Sequence, residues 1–182
     1  MSMQWKNIDE KFLDWLRSNY DNRVPKTNYG ADRFKPFFGN LFAVGDLVYV
    51  TQISSPKERH AKVKQSLDFY KIYHPDDDEL IAVVNLNYMF PVHKMLMRNL
   101  KYSEIDKHRN FDSDDEKSKY IDFLRIELKE INKLGLINAS QKIYELKYAK
   151  PTVSQRSFDF KILENACLEY VRVNFAGDNQ AK

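Results

Sequence analysis

The 182-residue sequence holds one cysteine, Cys167, so no disulfide can form within the chain, and a reducing compartment is expected. Its five glycines are too few and too scattered to build a Gly-x-Gly-x-x-Gly turn or a P-loop, which removes the two common glycine-based phosphate cradles. Long apolar runs are missing too. The longest stretch without a charge, Ile81 to Val92, falls well short of the ~20 residues that cross a bilayer and is interrupted by Asn85, Asn87 and Pro91. No membrane contact is expected. The residues from Met1 to Glu10 contain no apolar h-region, so neither a secretory signal nor export is expected, and the chain reads as cytoplasmic. The four histidines, His60, His74, His93 and His108, lack metal-ligand spacing, and Cys167 falls on the apolar side of its helix; no metal and no cofactor is expected.

What is present is apolar surface and unevenly placed charge. Hydrophobic residues make up 43% of the chain, with 12 Phe, 11 Tyr and 2 Trp, enough to order a single domain over residues 1–182. Lys and Arg number 29 against 26 Asp and Glu, a near balance that hides segregation. Lys57, Arg59, Lys62 and Lys64 stand with His60 against Glu58 alone, and a second basic excess carries Lys142, Lys147, Lys150, Arg156 and Lys161. Arg33 and Lys35 follow Tyr29 in a polar segment before the first predicted strand. The acids gather at Asp76–Glu79 and Asp112–Glu116, a strand connection and a helix start where carboxylates suit the dipole. Segregation of this kind predicts a positive face able to hold a phosphate backbone, with Tyr29, Tyr144, Tyr148 and Phe158 available for stacking.

Periodicity predicts a helix from about Asp9 to Tyr20, with Asp9 as N-cap and Ile8, Phe12, Trp15, Leu16 and Tyr20 on its apolar side. Strands are predicted over 37–44 and 47–53, joined by Gly45-Asp46 as a type II′ turn, and over 69–74 and 80–90, with 95–100 continuing the sheet. Ser113 and Glu116 form a capping-box pattern before the stripe Tyr120, Ile121, Leu124, Leu128, Ile131 and Leu134, which Gly135 is expected to stop. Further helices are predicted over 140–148 and 157–173. Strands grouped between helices, without alternation, predict an α+β fold built on an antiparallel sheet.

One segment concentrates chemistry. Ser54-Ser55-Pro56-Lys57-Glu58-Arg59-His60 places hydroxyls, an ammonium, a guanidinium and an imidazole at a strand end, where Pro56 stops the ladder and restrains the backbone. Such a cluster suits a phosphodiester. Cleaving RNA requires a base for the 2′-hydroxyl, a cation for the phosphorane and a proton for the 5′ oxygen. Lys57 or Arg59 can meet the charge, and His60 titrates near neutrality. An ordinary strand-end turn with a solvated basic helix face gives the same spacing, and the segment alone does not choose between them.

The runs Lys11–Leu16, Arg23-Val24-Pro25, Tyr29, Gly39, Ile53–His60 and Val84–Pro91, and more loosely Tyr120–Arg125, resemble the ToxN and AbiQ family of endoribonuclease toxins from type III toxin-antitoxin systems. The resemblance covers about residues 5–170. It implies a twisted antiparallel sheet flanked by helices, like the Kid and MazF toxins, and metal-independent RNA cleavage leaving 2′,3′-cyclic phosphate and 5′-hydroxyl ends. It also implies a role in phage abortive infection, with cellular or phage RNA as target. The implied partner is a small repetitive RNA antitoxin, folded as a pseudoknot, closing a ring of alternating protein and RNA. By position Ser55 matches the family's essential serine, Lys57 its lysine, Ser54 a site often held by threonine and Tyr29 a tyrosine of the same groove; His60 matches as well. Phe12 departs, standing where a tyrosine is often found. Arg59, Lys62, Lys64, Arg33, Lys35, Lys150 and Arg156 are the expected RNA-backbone contacts. General acid and base stay undivided among Ser55, Lys57 and His60, and a non-catalytic RNA-binding module or a protein-interaction domain remains the alternative.

Overall fold

The computed structural model describes residues 2–30 and 33–175. The chain runs β1 (Gln4–Ile8), α1 (Glu10–Asn19), β2 (Phe37–Val44), β3 (Leu47–Thr51), β4 (Ile53–Ser54), α2 (Glu58–Lys62), β5 (Phe69–Tyr73), β6 (Leu80–Asn85), β7 (Phe90–His93) and β8 (Met97–Asn99). Four helices follow: α3 (Asp114–Ile131), α4 (Leu136–Ala149), α5 (Pro151–Arg156) and α6 (Phe160–Phe175). The fold is α+β, with antiparallel sheets flanked by helices, but there are two sheets where one was expected. A five-stranded sheet has the order β7-β3-β2-β1-β8, and a three-stranded sheet the order β4-β6-β5.

Local chemistry explains most boundaries. The Asp9 carboxylate accepts the Phe12 N–H at 2.9 Å and starts α1, and the Ser113 hydroxyl accepts the Glu116 N–H at 3.1 Å and starts α3. The capping box is not reciprocal, because the Glu116 carboxylate accepts from the Asp112 N–H, one residue earlier than the box requires. Between β2 and β3, Gly45 adopts φ +59 while Asp46 keeps a negative φ, as a type II′ turn demands. Gly39 is needed for a different reason: a Cβ there would lie 2.8 Å from Val50 Cγ1 on the paired strand.

Three expectations are corrected. β1 was not foreseen, because five residues before a stronger helical pattern carry little strand signal; it pairs with both β2 and β8. The strand predicted over 47–53 divides at Gln52, its first part in the large sheet and Ile53–Ser54 in the small one. The apolar run 80–90 divides likewise, since the Asn85 side chain accepts the Asn87 N–H at 3.0 Å and turns Leu86–Tyr88 into a 3₁₀ helix. Near the C-terminus, α3 ends at Ile131 ahead of Gly135, whose φ of +65 joins α3 to α4, and the last helix begins at Phe160 after the separate short helix α5.

Helices α4 and α6 pack on the large sheet through β2 and β7, α1 packs on α6, and α3 meets β5 of the small sheet. Seven aromatic side chains are fully buried, among them Phe37, Phe38 and Phe90 on the strands and Phe158 and Phe160 beside them. The Trp5 indole N–H donates to the Leu124 carbonyl at 2.9 Å, tying α3 to β1. Phe12 is wholly buried and packs edge-on against Tyr170 of α6, ring centroids 5.2 Å apart, so the family departure at this position falls in the core. Cys167 is buried on α6, its thiol pushed up to about 12 by desolvation. These contacts leave the junction of the two sheets as the place where chain direction changes.

Candidate active site

β3 leaves the large sheet at Thr51, passes through Gln52 and joins the small sheet as β4, pairing Ser54 with Val83. β4 is an edge strand. Pro56 lacks the N–H that would extend it, so Ser54, Ser55 and Lys57 emerge together at a sheet edge, all three exposed. Among the described residues the side chains of these three groups make no hydrogen bond or ion pair within the fold. They face outward with their polar groups available.

Their neighbours are held more firmly. Gln52 is the clamp: its amide donates to the Lys26 carbonyl at 2.7 Å and the Lys35 carbonyl at 2.8 Å. Its carbonyl lies 3.4 Å from the Tyr29 hydroxyl, which also accepts the Lys26 N–H at 3.1 Å. Tyr29 is thus fixed beside the strand end with 44% of its surface exposed, and the Lys35 ammonium lies 5.4 Å from its ring centroid. Gln52 was not singled out from sequence; the available signal was a lone amide between the strand residues Thr51 and Ile53.

His60 is buried. Its Nδ1 accepts the Lys57 backbone N–H at 3.1 Å, while its own N–H donates to the Lys57 carbonyl at 2.7 Å. On its other side the ring Nε2 lies 3.5 Å from Arg59 Nε, so both ring nitrogens face groups of the same short segment. Burial first, then the positive charges of Arg59, Lys57 and Lys71, lower its pKa, so the ring is neutral at physiological pH. The structure thus brings His60 to the Lys57 backbone, where its Nδ1 is engaged.

Two pockets flank Ser54. The smaller, about 140 Å³, is lined by Ser54 with Arg23, Tyr29, Asn85 and Tyr88. Its neighbour, about 260 Å³, takes Ser54 and Ser55 as one wall and Lys35, Tyr120, Phe123 and Glu127 among the others. Arg23 lies over the Phe158 ring at 5.1 Å while its guanidinium pairs with Asp21 at 2.7 Å. Arg23 and Tyr88 were not expected as site residues, and neither was Glu127. The last had a legible mark, since it stands seven residues after Tyr120 on the face of α3 that also carries Leu124 and Ile131, where an apolar side chain is expected.

The expected basic contacts separate into three groups. Arg59, Lys62 and Lys64 are exposed on and just after α2, and Arg33 is exposed before β2, with Lys35 half-buried in the larger pocket. Lys150 and Arg156 are exposed at the two ends of α5. The Arg156 guanidinium lies 4.0 Å from Asp68, whose carboxylate accepts from Asn87 at 2.6 Å, so this end of the chain docks on the turn that carries Tyr88. Lys147 belongs elsewhere, which corrects its expected place on the gripping surface, whereas Lys161 stays exposed. Lys147 is buried with its ammonium 3.1 Å from the Ser157 carbonyl, and Lys161 pairs with Glu164 at 3.0 Å. Among the described residues no three His, Cys, Asp or Glu side chains form a metal cluster, and no helix is long and apolar enough to cross a membrane.

Comparison with known proteins adds to this geometry. Residues 4–168 match the family model described as toxin ToxN, type III toxin-antitoxin system. A curated relative, the endoribonuclease ToxN of Pectobacterium atrosepticum, is 27% identical over 93 residues, which cover 50% of this chain and 54% of that protein. The chain thus spans about half the length of the curated relative it matches. Among solved structures, a toxin studied for its selective inhibition by a non-coding RNA pseudoknot superposes with a TM-score of 0.73 at 20% identity, covering 93% of this chain and 98% of the other. AbiQ, a lactococcal anti-phage endoribonuclease of a type III system, superposes at 0.74 with 14% identity, covering 94% and 99%.

Proposed function

We propose, from the premise that this chain belongs to the ToxN family of type III toxin-antitoxin toxins, that it is an endoribonuclease whose active edge is Ser54-Ser55-Pro56-Lys57. The observation that carries the reading is local. Two hydroxyls and an ammonium stand exposed at an edge strand without partners in the fold, between two pockets that continue the surface on either side.

In this reading RNA lies across Ser54. The 2′-oxygen attacks the adjacent phosphorus as its proton leaves, the P–O5′ bond breaks, and O5′ takes up a proton, leaving a 2′,3′-cyclic phosphate and a 5′-hydroxyl. Lys57 offsets the charge gathered on the phosphorane, and the serine hydroxyls and Tyr29 hold the phosphate so that attacking and leaving oxygens align. His60 acts through Lys57, fixing the backbone from which the ammonium projects. The reading needs no metal. Arg59, Lys62, Lys64, Arg33, Lys35, Lys150 and Arg156 grip the backbone of the target, cellular or phage RNA, during abortive infection in the cytoplasm.

The same surface takes a repetitive pseudoknot RNA as antitoxin, in a ring of alternating protein and RNA. The structural neighbour's inhibition by an RNA pseudoknot supports that partner. The deciding experiment incubates purified protein with end-labelled single-stranded RNA in EDTA, beside Ser55→Ala and Lys57→Ala variants checked for folding by circular dichroism. Cleavage by the parent protein alone, with cyclic-phosphate ends, is expected. RNA that is bound yet intact in every lane overturns catalysis in favour of a binding module, and full activity in Ser55→Ala removes that serine from the mechanism.

A further inference from the structure

Glu127 is 4% exposed and lines the larger pocket, yet among the described residues its carboxyl group has no hydrogen-bond partner. The sealed unpartnered side-chain atoms among the described residues are Arg17 Nη1, Thr27 Oγ1, Thr51 Oγ1 and Arg109 Nε, so the Glu127 carboxyl group instead reaches the pocket space, where water or a ligand satisfies it. The surroundings offer Glu127 little else. Charged or titratable groups near it are Lys35, from the segment before β2, and Tyr120, from its own helix, whose hydroxyl already donates to the Phe34 carbonyl at 3.1 Å. β4 and β6 face the pocket with Ile53, Ser54, Ser55, Ile81 and Ala82, none of them charged. Phe123, 39% exposed, supplies the open aromatic wall, and Tyr120, whose ring carries the Arg109 guanidinium at 4.6 Å, supplies a second. Flat walls, one buried edge-reading group and a rim shared with Ser54 and Ser55 describe a slot for a planar heterocycle attached to a strand at the active edge.

We propose that this pocket receives one unpaired nucleobase of the bound RNA and that Glu127 reads its edge, with selectivity set by the protonation state of the carboxyl group. The proposal rests on the reading of Ser54–Lys57 as the RNA-binding edge. A neutral carboxyl group presents an O–H donor beside a C=O acceptor, and this pairs with the ring-nitrogen and amino edge of adenine or cytosine and equally with the N–H and C=O edge of guanine or uracil. Once ionised, the group only accepts. It then repels a ring-nitrogen lone pair and suits the paired N1 and N2 donors of guanine. Burial holds Glu127 in its neutral form over the physiological range, its pKa pushed up to about 8, with Lys35 opposing that rise.

The test uses 2′-fluoro octauridylates, which lack the attacking hydroxyl, carrying one adenine or one guanine at each position in turn. Binding is read by fluorescence anisotropy at about pH 6 and about pH 9, either side of the Glu127 titration, for the parent protein, Glu127→Gln and Glu127→Leu. At the best position the adenine-to-guanine affinity ratio of the parent should fall about ten-fold between the two pH values, the size of a good bidentate base contact. Glu127→Gln keeps a donor beside an acceptor at every pH, so it should retain at pH 9 the ratio and the adenine affinity seen at pH 6. Glu127→Leu should lose adenine affinity at both. A pH-independent ratio in the parent, or a Gln variant that follows the parent's profile, overturns the proposal. Binding with this pattern while the matching 2′-hydroxyl strands stay uncut leaves the pocket assignment standing and overturns cleavage; no binding of any strand overturns both.

Discussion

Two buried glutamates on different helices, α3 and α6, have opposite surroundings. Glu164 on α6 is 7% exposed and fully engaged: the Tyr49 and Tyr144 hydroxyls each donate to its Oε1 at 2.8 Å, and the Lys161 ammonium lies 3.0 Å from Oε2. Glu127 on α3 is 4% exposed and has none of this. The difference separates two uses of a buried acid. One has its desolvation offset inside the fold and joins α6 to β3 and α4, whereas the other keeps its hydrogen-bonding capacity for something outside the chain. The same contrast distinguishes Lys161, held by Glu164 and Tyr144, from Lys57, which is exposed at the proposed active edge.

The largest effect expected from breaking the comparison is on stability. Glu164→Ala strands the buried Tyr49 hydroxyl and the half-buried Tyr144 hydroxyl, while the exposed Lys161 ammonium turns to solvent, and leaving such donors unpaired costs about 3 kcal/mol. Denaturant unfolding should show that loss, and any activity surviving below the new midpoint should keep its base preference. Lys57→Ala should do the reverse. Cleavage is expected to fall about 10²–10³-fold, the usual cost of removing a group that meets transition-state charge, while stability changes by less than about 0.5 kcal/mol. A Lys57 variant that unfolds early would show the edge to be structural after all.

A third prediction concerns how stability depends on pH. Because the Glu127 pKa is raised in the folded chain, the native state holds a proton there that the unfolded state has released. Its contribution is therefore full below the ordinary carboxyl range, declines as pH rises from about 4.5, and is gone once pH passes about 8. Glu127→Gln should be neutral near pH 5 and more stable than the parent by about 2 kcal/mol at pH 9, taking part of the full shift at ~1.4 kcal/mol per unit. Urea midpoints of the two proteins across that range would show it. Parallel curves would mean that solvent or a neighbour already satisfies the carboxylate.

These features were unequally visible in the residues. Helix starts at Asp9 and Ser113 and the Gly45 turn were legible because each depends on a side chain and the backbone a few residues away. The Ser54–His60 cluster was legible as a group of polar side chains at a strand end for the same reason, being contiguous. The division into two sheets was not, since one apolar run, Leu80 to Phe90, serves both, and its only mark is Asn85 and Asn87 at the turn. For His60 the residues left open whether it acts on protons or on RNA backbone, because its type permits either. Its burial against Lys57 depends on Phe69, whose ring lies 5.6 Å away and arrives from a strand placed by tertiary pairing. The pocket around Glu127 joins the segment before β2, β4, β6 and α3, and a contact of that separation leaves only a periodicity error in the sequence.

The smallest effect expected is at Gln52, and it decides how far the active edge is preorganised. Its amide is the link between the end of β3 and the segment bearing Tyr29 and Lys35, through the carbonyls of Lys26 and Lys35. Gln52→Ala removes two hydrogen bonds in a partly exposed place, so about 1 kcal/mol of stability should be lost, less than either bond would cost in the core. Activity should be more sensitive than stability. Tyr29 would lose its Gln52 contact and the pocket wall at Lys35 would loosen, which lowers kcat for aligned attack more than it weakens RNA held by distant cations. Single-turnover cleavage beside equilibrium binding separates the two, with a fall in rate at nearly constant affinity expected. An equal loss in both would place Gln52 among the groups that hold RNA, and Tyr29 would then be a stacking platform independent of the strand end beside it.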